Sequence, residues 1–554
     1  MRRREENGPF AVNVTIGAYT ALLGWDVDAA HWKTFTKDLL GFAIERTELK
    51  GTTVVERYWL RGMKRFEDKD QGSPVGSPFP LSEHPVQSFQ WGDYTVKPRT
   101  TYRYRVVPVR GKPKMLDLRD DQAVEVEIQS EREDDANHGI WFNRGVAGSQ
   151  AYARRFGTQR PDQDAPDSDQ MKWLSRNLYE SLIDFIGRAK DQSWGLRAAL
   201  YEFRYAPVVR AFADAIDRGV DVEILYDGPN YGDENEAAIA DAGIGANCRP
   251  RNGNKSNKHN KFIVLTKNGV PHAVWTGSTN ISAGGIFGHS NVGHLVSSKP
   301  VAKQYLDYWD VLSSDPDAAN GAIRSPIILA TPTPSAPPHG PPAGISEMFS
   351  PRQGATLDFY RDVFASASSL VCFTVAFTVN KAFEAALQAQ NDTLRYILKD
   401  KPASDPAGDV YPDNDVVVAA GSKLEKGDLE GFLGESLTGF NRNLYIHDKF
   451  MLVDPLSDDP VVVTGSANFS TASMSSNDEN MLVIRGDTRV ADIYLGEFMR
   501  IFDHLYARFI VRRAKLQGWH SPQNFLKPDD GWVKSHAGTT SRKAKRRRVF
   551  ARTP

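Results

Sequence analysis

The sequence predicts an α/β chain made of two duplicated sheet-and-helix halves, preceded by a small β-rich module. Three observations carry that reading. The first ~135 residues alternate bulky and polar side chains between turn-prone stretches, as half-buried strands do. From about residue 170 helix-like and strand-like segments follow one another in turn, the pattern of a sheet covered by helices. A set of polar residues then recurs at a constant offset of 188 positions.

In the β-rich part, Thr100-Thr-Tyr-Arg-Tyr-Arg-Val-Val-Pro-Val109 has the clearest period of two, and the stretch from Asp70 to Pro78 reads as a turn. The segment from Lys97 to Val106 resembles a late strand of a fibronectin type III or immunoglobulin-like sandwich, and residues 1–135 are read as an accessory β module. In the first half, 136–329, the spacing predicts a helix from Trp173 to Lys190 and a strand from Trp194 to Phe203. A helix from Ala206 to Arg218, closed by Gly219, and a strand from Val220 to Asp227 follow. The Pro-rich run Ala330–Pro342, within 330–345, is expected to be an extended linker. The same grammar restarts in 346–515: helix Leu357–Ala367, strand Leu370–Phe377, helix Asn380–Gln390 and strand Leu394–Leu398. Residues 516–554 form a C-terminal extension whose end, Ser541 to Val549, holds six basic residues and no acid.

With 40% apolar and 25% charged residues and a formal net charge of -1, the chain is not a globally basic nucleic-acid binder. Its two cysteines, Cys248 and Cys372, imply no disulfide framework and fit a reducing compartment. The N-terminus has the positive charge of a signal peptide but no apolar core behind it. No run approaches the roughly 20 apolar residues that span a bilayer. The expected setting is therefore cytoplasmic, in solution or at a membrane surface.

The chemistry lies in the repeated block. The first copy reads His259-Asn-Lys261, then Thr276-Gly277-Ser278-Thr-Asn280-Ile-Ser282; the second reads His447-Asp-Lys449, then Thr464-Gly465-Ser466-Ala-Asn468-Phe-Ser470. His-to-Gly spacing is eighteen residues in both. One His-x-Lys is uninformative, but two with matched downstream blocks are not. On a strand, residues i and i+2 share a face, so each His–Lys pair points one way. The two blocks resemble the motifs of the phospholipase D superfamily, and the resemblance implies cleavage of a phosphodiester, which needs a nucleophile, a proton donor for the leaving oxygen and charge neutralisation around phosphorus. Two histidines fill the first two roles. Lys261, Lys449 and the amides of Asn280 and Asn468 fill the third, with Ser278 and Ser466 as phosphate support. The lysines supply the positive charge, so neither a metal nor a cofactor is expected.

Over residues 170 to 510 these blocks resemble the H-x-K-x4-D and G-S-x-N motifs of the phospholipase D superfamily. The second copy is complete, with Asp454 and an Asn477-Asp-Glu479 similar to the family's trailing N-x-E. The first copy departs, with Thr266 in place of the Asp and Gly293 near the expected acidic position. The resemblance implies a pair of phospholipase D-like α/β/α sandwich halves meeting at one cleft. It also implies a phosphohistidine intermediate, with His259 as nucleophile and His447 as acid and base by the family's usual order. Glu479 would orient an active-site histidine, and is expected on His447 unless it reaches across the pseudo-dyad; Asp454 would brace the motif loop. His289, His294 and Glu202 are read as structural neighbours.

Three function classes follow. A phospholipase D acting on glycerophospholipids is favoured by the single-chain, two-motif form, which also implies an active monomer. A metal-independent nuclease of the same superfamily, cutting DNA or RNA, is the alternative. An inactive phosphate-binding scaffold is the third, and the two full His/Lys/Asn sets count against it. The partner is accordingly phospholipid at a membrane surface or nucleic acid, with the basic tail as a further anionic-partner site or a solvated tail.

Overall fold

The computed structural model describes residues 1–67, 74, 77–145, 149–157, 159–252, 256–314, 340–352, 356–403, 415–423, 428, 433–435, 446–518 and 525–553. The linker expected at 330–345 lies mostly outside them, as does part of the Asp70–Pro78 turn.

The N-terminal part is two facing antiparallel sheets. One carries β1 (Arg2–Asn7), β2 (Phe10–Ile16), β3 (Ala21–Val27) and β8 (Gln90–Asp93). The other carries β4 (Gly41–Lys50), β5 (Thr53–Trp59), β9 (Thr101–Lys112), β10 (Met115–Leu118) and β11 (Val124–Gln129). A two-residue pair, β6 (Arg61–Gly62) with β7 (Phe79–Pro80), stands apart. The period-two stretch became β9, whose Tyr102, Tyr104 and Val106 are fully buried in this core.

The two halves that follow repeat one topology. The first sheet contains β12 (His138–Phe142), β13 (Trp194–Leu200), β14 (Asp221–Asp227), β15 (Cys248–Arg251), β16 (Lys261–Lys267), β17 (Val270–Gly277) and β18 (Val292–Val296). The second contains β19 (Gly344–Ser350), β20 (Leu370–Val375), β21 (Leu394–Lys399), β22 (Val416–Ala420), β23 (Phe450–Val453), β24 (Val461–Gly465) and β25 (Glu479–Arg485). Their spatial orders are β12-β18-β17-β16-β13-β14-β15 and β19-β25-β24-β23-β20-β21-β22, the same path with every index raised by seven. In each, the motif strand sits at the centre, antiparallel to both neighbours.

Two predicted helices changed. The segment expected as one helix over Trp173–Lys190 is two, Asp169–Ser175 and Leu178–Ile186, because Arg176 and Asn177 are left-handed (φ 47 and 69). Arg176 is held there by a hydrogen bond from its Nε to Phe142 O at 2.9 Å and an ion pair with Glu497 at 2.6 Å, tertiary contacts overriding local periodicity. The helix expected over Asn380–Gln390 shrinks to a 3₁₀ turn, Lys381–Phe383, and one turn of α-helix, Glu384–Leu387.

The sheets face each other across the largest hydrophobic cluster, which mixes Phe262, Val264, Tyr305 and Tyr308 of the first half with Phe349, Phe450, Tyr494 and Phe498 of the second. A helix over Thr488–Leu516, capped by Asp487 accepting from Val490 N–H at 2.9 Å, runs through this cluster. The C-terminal extension is not a free tail. Trp532 and Val533 complete the core of the β module, and Arg542–Ala551 is a helix seated on it. Arg547 pairs with Asp26 and lies 4.2 Å over Trp32, Lys545 pairs with Asp392 and Asp415, and Arg546 bonds Gln90 and Asp503. These three cations are paired within the molecule and the segment is a packed helix, which corrects the expectation of a tail left in solvent.

Candidate active site

The motif residues sit where the central strands begin. Lys261 opens β16, and Lys449 immediately precedes β23. The apolar runs Phe262–Leu265 and Phe450–Val453 bury each strand and fix the backbone just behind it. The lysines fold back toward their own histidines: Lys261 Nζ donates to His259 O at 2.6 Å, and Lys449 Nζ to His447 O at 2.5 Å. The two pairs share one buried cleft. The charges of His259 and Lys261 act on His447, and that of Lys449 acts on His259.

Each histidine is oriented by the opposite half. His259 Nδ1 contacts Glu479 Oε2 at 2.9 Å, and His447 Nδ1 contacts Asn291 Oδ1 at 2.9 Å. An acceptor at Nδ1 holds the proton there and leaves Nε2 with its lone pair facing the cleft. Glu479 therefore reaches across the pseudo-dyad to His259, not to His447, because β25 runs beside the first half's strand ends. Position 291 is 479 less 188, so the counterpart of Glu479 is Asn291 and not Gly293.

Ser278 and Ser466 are also reassigned. Ser278 Oγ donates to Asn291 Oδ1 at 2.8 Å, and Ser466 Oγ donates to Glu479 Oε2 at 2.6 Å. A hydroxyl has one proton, and in both cases it is spent on the group that orients a histidine rather than on phosphate. The glycine before each serine permits this approach: a Cβ on Gly277 (φ 129) would lie 2.3 Å from Val292 O. Asp454 is a structural brace. Its carboxylate accepts from the N–H and hydroxyl of both Ser368 and Ser369 and from Leu370 N–H, at 2.7 to 3.0 Å. It stands at the far end of β23, roughly 16 Å of extended chain beyond Lys449. Thr266 in the first copy thus replaces a brace, not a reacting group.

The two asparagines differ in how they are held. Asn280 donates one N–H to Glu202 Oε1 at 2.7 Å, so Glu202 belongs to the site, and Arg204 in turn pairs with Glu202 at 2.8 Å. Asn468 is anchored through its own N–H to Ser473 Oγ at 3.2 Å. The side-chain oxygens of both are buried without a hydrogen-bond partner. His294 is structural as expected, bonded to His138 and Tyr494 in the interface core. His289 is not remote: its ring lies 5.8 Å from that of His447.

The sequence of the two matched segments decides the family. The sequence model of the family described as "Cardiolipin synthase, PLD-like domain" matches residues 182–312 and, a second time, residues 366–502. Both matched segments belong to the phospholipase D superfamily. It is similar to a mitochondrial cardiolipin hydrolase of Xenopus laevis, 36% identical over 94 residues that make up 17% of this chain and 41% of that protein. It is also similar to the Mus musculus mitochondrial cardiolipin hydrolase, 39% identical over 59 residues, 11% of this chain and 24% of that one. The matches thus span less than half the length of these relatives. Among solved structures, phosphatidylserine synthase of Haemophilus influenzae is 12% identical with a TM-score of 0.40, covering 60% of this chain and 85% of that one. The phospholipase D family member Nuc of Salmonella typhimurium is 18% identical with a TM-score of 0.22, covering 29% of this chain and 95% of that one.

The electrostatics of this phospholipase D-type cleft are those of a buried pocket in which several bases crowd together. Burial pushes Lys261 down to about 7, against the pull of Glu479, Glu202 and Asp227. Lys449 is driven well below the usual lysine range by burial and by Lys261. His447 lies well below the ordinary imidazole value, by burial and then Lys449, His289, Lys261 and His259. Burial also lowers His259, but Glu479 opposes it. Glu479 itself is kept ionised below its usual range, burial being outweighed by His259, Lys261 and Ser466. Asp448, between the second pair, is pushed up to about 7 by burial. Among the described residues no cluster of three or more His, Cys, Asp or Glu side chains has the arrangement of a metal site. One residue that sequence reasoning missed is Tyr201. Its ring meets His259 edge-on at 4.7 Å and lies 4.9 Å beneath Lys261 Nζ, so it packs the first pair in place.

Proposed function

We propose that the protein is a metal-independent phosphodiesterase that works through a phosphohistidine on His259 and acts on a glycerophospholipid. The observation that carries the reaction is the exchange of Nδ1 acceptors: Glu479 on His259 and Asn291 on His447. Attack by His259 Nε2 on phosphorus forms an N–P bond, breaks the P–O bond to the leaving alcohol and leaves the His259 ring cationic. A carboxylate stabilises that cation; an amide oxygen does so far less. His447, its Nδ1–H kept on Asn291, must first take a second proton at Nε2 as the anionic diester enters; it gives that proton to the departing oxygen, then takes one from water as the water's oxygen attacks phosphorus and the N–P bond breaks. Lys261 and Lys449 regain full charge as the anionic diester enters, and hold its non-bridging oxygens with Asn280 and Asn468.

The lipid substrate is supported by the names of the relatives, which are cardiolipin hydrolases, and by the cardiolipin synthase description of the matched family. No helix among the described residues is long and apolar enough to cross a membrane. The test is a hydrolysis panel run in EDTA: cardiolipin and mixed phospholipid vesicles, single- and double-stranded DNA, and RNA. Release of a phosphatidyl product is the expected result. Cleavage of nucleic acid with intact lipid would replace the substrate, and activity lost in EDTA but restored by a divalent ion would overturn the mechanism.

A further inference from the structure

The walls behind the two motif histidines are related by the 188-residue offset, yet differ in chemistry. Behind His259 stand Asn477, Asp478 and Glu479; behind His447 stand His289, Ser290 and Asn291. The first difference, carboxylate against amide at the Nδ1 contact, has been described. The second lies two residues earlier. Asn477 Nδ2 reaches Glu479 Oε1 at 3.4 Å, whereas His289 turns its ring to His447, the centroids 5.8 Å apart and the planes inclined by 50°.

His289 is held firmly in that position. It follows a single π turn, Gly284–Gly288, and its N–H donates to Gly284 O at 2.9 Å. Its carbonyl accepts from Asn143 Nδ2 at 2.7 Å, while Asn143 Oδ1 accepts from Asn291 N–H at 3.0 Å. One buried asparagine therefore sets both His289 and the residue that orients His447. Single π turns are costly and recur at functional sites. Ser290 completes the wall, its O accepting from His447 N–H at 3.2 Å.

The titratable and charged groups that face His447 are Lys449 on its own segment, Lys261 and His259 from the first motif, and His289 from the turn. Asp400 adds a carboxylate that accepts from the neighbouring Ile446 N–H at 3.2 Å. The two lysines and the two motif histidines exchange under the pseudo-dyad, so they cannot tell one histidine from the other. Glu479 and His289 can, and they act in the same direction: the carboxylate draws a proton toward His259, and a second imidazole repels one from His447. Asp448, which stands where the first copy has Asn260, is a third unshared group beside His447, and burial pushes its carboxyl up to about 7, which weakens its opposing charge.

We propose that His289 is a positioning residue acting through His447, making it the readier of the two motif histidines to give up its proton and so fixing which of them is acid and which nucleophile. The inference rests on the reading of His447 as proton donor, but its test does not require activity. Imidazole signals of the histidine-labelled full chain are followed by NMR across pH, with His447 assigned by its loss in His447→Gln. In the wild type the His447 signal should titrate in two coupled steps, one of them at the midpoint of His289. In His289→Asn, which copies the opposite wall, and in His289→Gln, the His447 midpoint should rise by up to about two pH units, the effect of losing a cation about 6 Å away at an effective dielectric of 20. The basic limb of kcat/KM for bis(p-nitrophenyl) phosphate should rise with it. A single-step His447 curve in the wild type, or an unmoved midpoint in variants that keep the native His294 signal, overturns the inference. A wild type that titrates as described but cleaves no phosphodiester overturns the reaction proposed above instead.

Discussion

Replacing Glu479 with Gln removes a charge and almost no volume from a side chain with no solvent exposure. The amide can still accept from His259 Nδ1–H and from Ser466, so the ring should stay in place. What is lost is the attraction between a carboxylate and the cation formed when His259 bonds to phosphorus. For charges about 4 Å apart in an effective dielectric of 20 this is about 4 kcal/mol, of which the retained hydrogen bond returns about 1 to 2. A loss of about 2–3 kcal/mol predicts a fall in kcat of roughly 30- to 150-fold. KM should hardly move, because Glu479 touches the histidine and not the substrate. Asn291→Ala removes only a neutral acceptor, about 1 kcal/mol or roughly fivefold. The pH profile gives an independent sign. His259 must be neutral to attack, so rate rises with pH through its pKa. Without Glu479 that pKa falls, and the acidic limb should move to lower pH. Steady-state hydrolysis of bis(p-nitrophenyl) phosphate in EDTA measures all three. A Glu479→Gln enzyme within threefold of wild type, or Asn291→Ala the more damaged of the two, would refute the assignment of charge stabilisation to His259.

His447→Asn should retain adduct formation from a substrate with an activated leaving group but lose its release. A radiolabelled phosphoryl group would then collect on His259; label on His447 in a His259→Asn protein would reverse the roles. Asp454→Ala should lower unfolding stability by about 2–3 kcal/mol through its lost bonds to Ser368, Ser369 and Leu370, and leave kcat within about twofold; a large fall in kcat at unchanged stability would return it to the reacting set. Lys261 is the pH reporter of folding: with a folded value of about 7 against an ordinary 10.5, the unfolded chain binds more protons between those values. Stability in phosphate-free buffer should therefore rise with pH across that window, by a few kcal/mol for each lysine so affected (roughly 1.4 per pH unit), and inorganic phosphate should raise the melting temperature more at pH 7 than at pH 10. Melting scans with equal phosphate stabilisation at both pH values would exclude these lysines as the anion's counter-charges.

Much of this was legible because duplication leaves an arithmetic trace. The constant offset marked His259, Lys261, Asn280 and their counterparts, and the repeating helix and strand pattern anticipated two sheets of like topology. The same offset pairs Glu479 with Asn291, but a search for an acid led instead to Gly293; hydrogen-bond equivalence tolerates an amide where motif matching does not. Ser278, Ser466 and Asp454 were visible as motif residues, yet a motif says that a residue is needed, not what it touches. The break at Arg176 depends on Glu497, some 320 residues away, and no local window contains it. The basic C-terminal run reads as a solvated tail because its partners, Asp26, Asp392 and Asp415, are scattered through earlier parts of the chain.

The crossed acceptors have a consequence for what the duplication can do. A half of this molecule holds its own histidine and lysine but not the group that fixes that histidine's tautomer, which arrives from the other sheet. Competence is thus a property of the docked pair, and a displacement of one sheet by a fraction of a hydrogen-bond length detunes both rings together. The copies are also no longer interchangeable. Once one wall carries a carboxylate and the other an amide, two first halves or two second halves joined together would present matched walls, and the protein could not tell its attacking histidine from its acid. On the proposed mechanism, the asymmetry between the copies is what divides the labour between the two histidines.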